Sequence, residues 1–110
     1  MATYDDFLKL DICVGKIIAV ENLPNPKHTT HKLTIDFGLP VGQKISGARV
    51  MRYTHDQLVG KLVLCVVNLP PKQIGKCLSE VFTLGVPDSD GECILISPDS
   101  ESAVIGGKLF

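Results

Sequence analysis

The chain has 110 residues, a formal net charge of −1 and 45% hydrophobic residues. That length holds one domain, expected over residues 1–110 with a core from about residue 8 onward, and leaves no room for a second core. Near-neutrality excludes a generic polyanion binder that works by bulk charge.

No run of 18 apolar residues occurs, so no membrane insertion is expected. The opening Met1-Ala2-Thr3-Tyr4-Asp5-Asp6 lacks the apolar stretch of a signal peptide, which makes the expected location cytoplasmic. Cys13, Cys65, Cys77 and Cys93 are far apart in the sequence and read as buried small hydrophobes rather than as two disulfides. The hydrophobic content is rich for so small a body and predicts apolar surface covered by a partner subunit. The ending Val104-Ile105-Gly106-Gly107-Lys108-Leu109-Phe110 points the same way, because an apolar terminus frays unless it is paired or docked. Charge is segregated. Residues 27–76 hold eight Lys or Arg against two acids, and the remainder holds three Lys against ten acids. Such a basic middle can form a local positive face, and the same lysines serve equally well to solvate strand edges.

In chain order, Thr3-x-x-Asp6 reads as a capping box opening one helical turn. Residues 12–21 form a first strand, with a bend expected at Gly15. Asn22-Leu23-Pro24-Asn25-Pro26 is turn chemistry. Leu33, Ile35 and Phe37 alternate in a second strand, and residues 43–50 make a third. Thr54-x-x-Gln57 caps a short helix ended by Gly60, and Lys61 to Val67 reads as a central strand. Pro70 and Pro71 followed by Gly75 imply a rigid connection, and residues 79–84 and 92–96 form strands around a turn at 87–91. The fold class predicted is all-β: a five-stranded Greek-key OB-fold barrel with one short helix between strands 3 and 4 and small terminal additions. Composition alone equally permits a small sandwich.

The chemistry of common active sites is missing. There is no Gly-x-Ser-x-Gly elbow, and Gly107-Lys108 is followed by Leu109 rather than by Ser or Thr. Paired Cys-x-x-Cys spacing is absent, and His28-x-x-His31 with His55 is too thin a set for a metal. The chain therefore reads as non-enzymatic, with no cofactor and no metal. For stacking nucleobases, Phe37 is buried by alternation, which leaves Tyr53 as the exposed aromatic. So few aromatics favour recognition of a folded RNA by shape and backbone.

Asp11-Ile12-Cys13-Val14-Gly15-Lys16-Ile17 resembles the opening strand of the tRNA-binding domains appended to methionyl-tRNA synthetases. Asn25-Pro26-Lys27, Lys32-Leu33-Thr34-Ile35-Asp36-Phe37-Gly38, the run from Val66 to Gly75, Ser79-Glu80-Val81-Phe82-Thr83-Leu84-Gly85, Gly91-Glu92, Ser97-Pro98-Asp99 and Gly106-Gly107-Lys108 resemble the CsaA-like version of that domain, in order along the chain. The resemblance implies a homodimer of OB barrels joined partly through the terminal segments. It also implies tRNA binding and chaperone-like binding of unfolded or export-bound polypeptides in support of protein secretion. The alternative it allows is a tRNA-binding accessory subunit of a methionyl-type aminoacyl-tRNA synthetase. By motif, the nucleic-acid-binding face would use Lys32, Asn68, Lys72, Ser79 and Glu80, to which charge adds Arg49 and Arg52. Cys13 stands where the family usually has arginine, and Gln73 where a basic residue is common. Val104-Ile105 replaces the usual Pro-Asn and makes the tail more apolar.

Overall fold

The fold was obtained as a computed structural model that describes residues 1–24 and 29–110. Of the turn read at Asn22-Leu23-Pro24-Asn25-Pro26, Asn22 to Pro24 instead continue the first strand, paired with His31 to Thr29, and Asn25, Pro26 and His28 lie outside the described residues. Helix α1 (Tyr4–Leu8) opens on the expected capping box. The Thr3 hydroxyl accepts the Asp6 N–H at 3.3 Å, and the Asp6 carboxylate accepts the Thr3 N–H at 2.9 Å.

Strand β1 (Ile12–Pro24) is long enough to serve two partners. Ile12 to Lys16 pairs antiparallel with β4 (Leu62–Val66), and Lys16 to Pro24 pairs antiparallel with β2 (Thr29–Asp36). The register slips between Ile17 and Ala19, so the extra residue bends β1 where it passes from one partner to the other. This bend was expected at Gly15, which instead pairs regularly with Val63. Glycine is required there for a different reason: a Cβ at that position would run into Ile35 Cγ2 and the Phe37 ring.

Strand β3 (Gln43–Ala48) pairs with β2 and ends two residues before the expected Val50. Helix α2 (His55–Leu58) follows, capped reciprocally by Thr54 and Gln57 at 3.2 and 2.8 Å. After β4 come a hairpin of β5 (Lys72–Ile74) and β6 (Cys77–Ser79), then β7 (Phe82–Thr83) against β4. A second hairpin, β8 (Gly85–Pro87) and β9 (Cys93–Leu95), completes the set. The single strand expected over 79–84 is thus broken into pieces. The N–H groups of Glu80 and Val81 both turn to the Ile45 carbonyl, at 2.8 and 3.4 Å.

The main sheet runs β3-β2-β1-β4-β7, and those two bonds to Ile45 bring the β7 end round to β3. A hydrogen bond of 2.6 Å between the Ser46 and Thr83 hydroxyls adds to the closure. The result is a nearly closed five-stranded antiparallel barrel of OB type with its small helix between β3 and β4. Ile17, Leu33, Ile35, Phe37, Val63 and Cys65 fill the interior, as the alternation of the second strand predicts.

The C-terminal tail is paired. The Val14 N–H donates to the Gly107 carbonyl at 2.9 Å, and the Gly106 and Leu109 N–H groups donate to Val14 and Ile12 carbonyls at 2.7 Å. Lys108 Nζ lies 2.8 Å from the Asp11 carboxylate, where both groups are near half-exposed. All four cysteines are free thiols, and Cys13, Cys65 and Cys77 are buried. Among the described residues no helix is long and apolar enough to cross a membrane, and no three His, Cys, Asp or Glu side chains cluster to hold a metal.

Candidate nucleic-acid interface

The seven residues singled out from the sequence fall into two groups, those built into the frame and those facing solvent. Ser79 is in the frame. It is 6% exposed, and its hydroxyl accepts the Gly47 N–H at 2.9 Å and donates to the Val81 carbonyl at 2.6 Å. Glu80 uses one carboxylate oxygen to accept the Ile45 N–H at 2.9 Å. Asn68 is a clip on the N-terminal segment: its Oδ1 accepts the Asp11 N–H and its Nδ2 donates to the Lys9 carbonyl, both at 2.8 Å.

Arg52 holds the far turn. Its Nη1 donates to Asp88 Oδ2 at 3.1 Å, and the other oxygen of Asp88 accepts the Asp90 and Glu92 N–H groups at 2.8 and 3.0 Å. Arg52 and Lys61 also lie 5.9 and 5.7 Å from the centroid of the Tyr53 ring. Tyr53 is therefore not the open stacking surface expected of it. The ring packs against the core, and its hydroxyl accepts the Leu95 N–H at 3.0 Å.

Lys32, Arg49 and Lys72 line grooves. A groove of about 490 Å³ runs between the end of β3 and the two hairpins, with Arg49, Ile74 and Phe82 among its walls. On the other side of Phe82 and Ile74 lies a small cleft of about 80 Å³ that carries Lys72. Lys32 belongs to a third hollow, with Glu21 facing it across β1 and β2 and with Lys76 on its rim. Phe82 and Lys76 were not anticipated. Phe82 is 54% exposed, and its neighbour Val81 is buried. Strand alternation after Val81 is the signal that could have exposed it. Cys13, in the position where an arginine was expected, packs into the core beside Cys65 and presents no donor to this surface.

Burial pushes the His31 imidazole below its ordinary value, with the Ala48 carbonyl acting in the opposite sense and the nearby His55 in the same sense. His31 Nδ1 accepts the Val50 N–H at 3.3 Å, a bond that requires the neutral ring at that nitrogen. Burial likewise pushes up all four thiols, Cys65 to about 11.

A nearly closed OB barrel whose outer grooves combine Arg and Lys with an exposed aromatic is of the nucleic-acid-binding domain class. The chain belongs to the tRNA-binding domain family: the family model described as "Putative tRNA binding domain" matches residues 12–106. It is similar to the CsaA chaperone protein from Picrophilus torridus, at 41% identity and a TM-score of 0.90 with all of both chains covered. Chaperone CsaA from Bacillus anthracis is 37% identical with a TM-score of 0.89, covering 100% of this chain and 99% of the other. Methionine–tRNA ligase from Porphyromonas gingivalis is 37% identical over 100 residues, which are 91% of this chain and 14% of that protein. The chain thus spans about one-seventh of the length of the curated relatives it matches.

Proposed function

We propose that this protein binds tRNA from the outside, in the cytoplasm, and performs no chemistry of its own. The observation that carries this reading is the pairing of Arg49 and Lys72 on either side of the exposed Phe82, on a chain of the tRNA-binding family. Cations on both sides of an aromatic suit a phosphate backbone that passes across the barrel. Lys32 and Lys76 extend the positive surface beyond the β5–β6 hairpin, and Asn68, Ser79 and Glu80 hold the frame on which those cations sit. Residues 1–110 act as one domain in this reading, with the core from about residue 8.

The test is a titration of labelled total tRNA at two salt concentrations. Affinity should fall steeply with salt, because each neutralised phosphate releases counterions. Absence of binding at low salt would reject the reading.

A second reading has its own support, in whole-chain similarity to CsaA chaperones at 41% and 37% identity. In it the protein holds unfolded, export-bound polypeptides and assists secretion. The apolar groove of about 410 Å³ lined by Val14, Leu64, Val104, Leu109 and Phe110 serves as the seat of a second copy, which gives a homodimer. Peptide affinity would then be nearly independent of salt and carry a negative heat-capacity change. A third use, as an accessory tRNA-binding subunit of a methionyl-type synthetase, draws on the methionine–tRNA ligase relatives and predicts co-purification with such an enzyme.

A further inference from the structure

We infer that the groove between β3 and the two hairpins takes one unpaired nucleotide of RNA, with its base stacked on Phe82; this rests on the RNA-binding reading above. The groove, at about 490 Å³, lies within the range of about 300–1,000 Å³ typical of small-ligand sites. Gly47, Gly75, Gly85 and Gly91 contribute to its walls, so much of the boundary is backbone and a flat ring can enter without displacing side chains.

Phe82 stands 54% exposed beside this space. Its Cα is fixed opposite Val66 in the β4–β7 ladder, which makes the ring a platform set on the barrel rather than on a free loop. Arg49 is on the groove side of that platform and Lys72 on the other. A backbone crossing from Lys72 to Arg49 therefore brings a base over Phe82. Bases in a duplex hide their faces in the stack, so only an unpaired nucleotide can use this surface. The inference changes the expected RNA target from shape alone to shape plus one splayed base.

The test uses the full chain, an RNA single strand of about eight nucleotides carrying a central 2-aminopurine, and a blunt duplex of matching composition. Phe82→Leu keeps an apolar side chain and removes the ring, and Phe82→Trp keeps a ring. Phe82→Leu should weaken single-strand binding about tenfold or more and abolish the quenching of 2-aminopurine, while Phe82→Trp stays within about twofold of the parent. Duplex affinity and the melting temperature should be unchanged in both. Equal single-strand binding by Phe82→Leu and the parent, or equal losses on single strand and duplex, would overturn the inference. So would a loss confined to a labelled apolar peptide, which would make the groove a polypeptide site. If the parent binds RNA with steep salt dependence and Phe82 proves indifferent, only this inference fails. If the parent binds no RNA at low salt, the RNA-binding reading fails with it.

Discussion

The Ser79 hydroxyl joins β6 to β3 by accepting the Gly47 amide hydrogen at 2.9 Å, and it returns its own hydrogen to Val81 at 2.6 Å. The bond to Val81 is buried and the bond to Gly47 partly buried, with Ser79 at 6% exposure. A hydroxyl committed in this way maintains the walls of the adjoining grooves and has no hydrogen left to give a base. Removing it strands the partly buried Gly47 N–H and the buried Val81 carbonyl together, and such losses cost about 1–3 kcal/mol each. Ser79→Ala should lower the unfolding free energy by about 2–6 kcal/mol, seen as a lower denaturant midpoint with the m-value unchanged. RNA affinity per folded molecule should stay the same. A selective loss of affinity at unchanged stability would return Ser79 to the binding surface.

Arg52 and Lys72 carry the same charge and should behave differently. Arg52 is bonded to Asp88 at 3.1 Å, and that carboxylate also organises the turn through the Asp90 and Glu92 amides. Lys72 is exposed at the edge of the cleft beside Phe82. Lys72→Ala should reduce the slope of log affinity against log salt by about 0.7–0.9, the share of one phosphate contact. Arg52→Ala should leave the slope in place and raise hydrogen exchange at Asp90 and Glu92. A slope change for Arg52 equal to that for Lys72 would contradict this division.

How far the sequence could be read depended on whether a local pattern or a distant partner decides the outcome. The two capping boxes, the Leu33-Ile35-Phe37 alternation and the helix between the third and fourth strands were legible, because each is fixed within a few residues. The bend in β1 was misplaced by two to three residues. Gly15 carries the usual mark of a bulge, yet the closeness of Ile35 and Phe37 from β2 and its end demands a glycine there. Ser79, Glu80 and Asn68 look like ligand-binding residues in one dimension. Their partners, Gly47, Ile45 and Asp11, lie 32 to 57 residues away and cannot be seen from the motif. Tyr53, expected exposed, is held to the frame for the same reason: Leu95 captures the tyrosine hydroxyl, and nothing in the neighbourhood of Tyr53 in the sequence announces it.

Stability should fall on acidification through His31. Burial holds its folded-state value below the ordinary 6.5. Above about pH 6.5 the ring is neutral in folded and unfolded chains alike, and the Val50 N–H bond is fully present. As the pH drops below that value, unfolded chains take up the proton first, and the contribution is lost down to the folded-state value. The slope in that window is at most about 1.4 kcal/mol per pH unit for one proton. His31→Asn, which offers an oxygen near the position of Nδ1, should flatten the dependence on the acid side of about pH 6.5. An unaltered slope in that variant would assign the acid sensitivity elsewhere.

The thiols should react in an order set by burial. Cys93 is the half-buried one and lines the large groove, whereas Cys65 is fully buried with its thiol pushed up to about 11. Reactivity follows the exposed thiolate, so an alkylating reagent at about pH 8 should modify Cys93 first and Cys65 last. Peptide mapping by mass spectrometry gives the order directly. Occupancy of the groove by RNA should slow the Cys93 step and leave the others unchanged. Faster modification of Cys65 than of Cys93 would mean that the barrel opens more readily than its packing indicates.

The tail offers the sharpest test of self-association. Its backbone is paired with β1 through Gly106, Gly107 and Leu109, yet Val104 remains 74% exposed and Phe110 is fully exposed next to the groove lined by Val14 and Leu64. Apolar side chains held outward by a paired backbone cannot retreat into the barrel, and in the proposed homodimer a second copy would be the cover that removes them from water. Val104→Asp places a charge on each side of such a symmetric contact, where desolvation and mutual repulsion act together. Light scattering should give a dimer for the parent and a monomer for Val104→Asp, with the far-ultraviolet circular dichroism of the barrel retained. A parent that scatters as a monomer at all concentrations would remove the homodimer. It would leave the apolar tail free for a polypeptide, and affinity for a labelled apolar peptide should then fall in Val104→Asp while tRNA affinity holds.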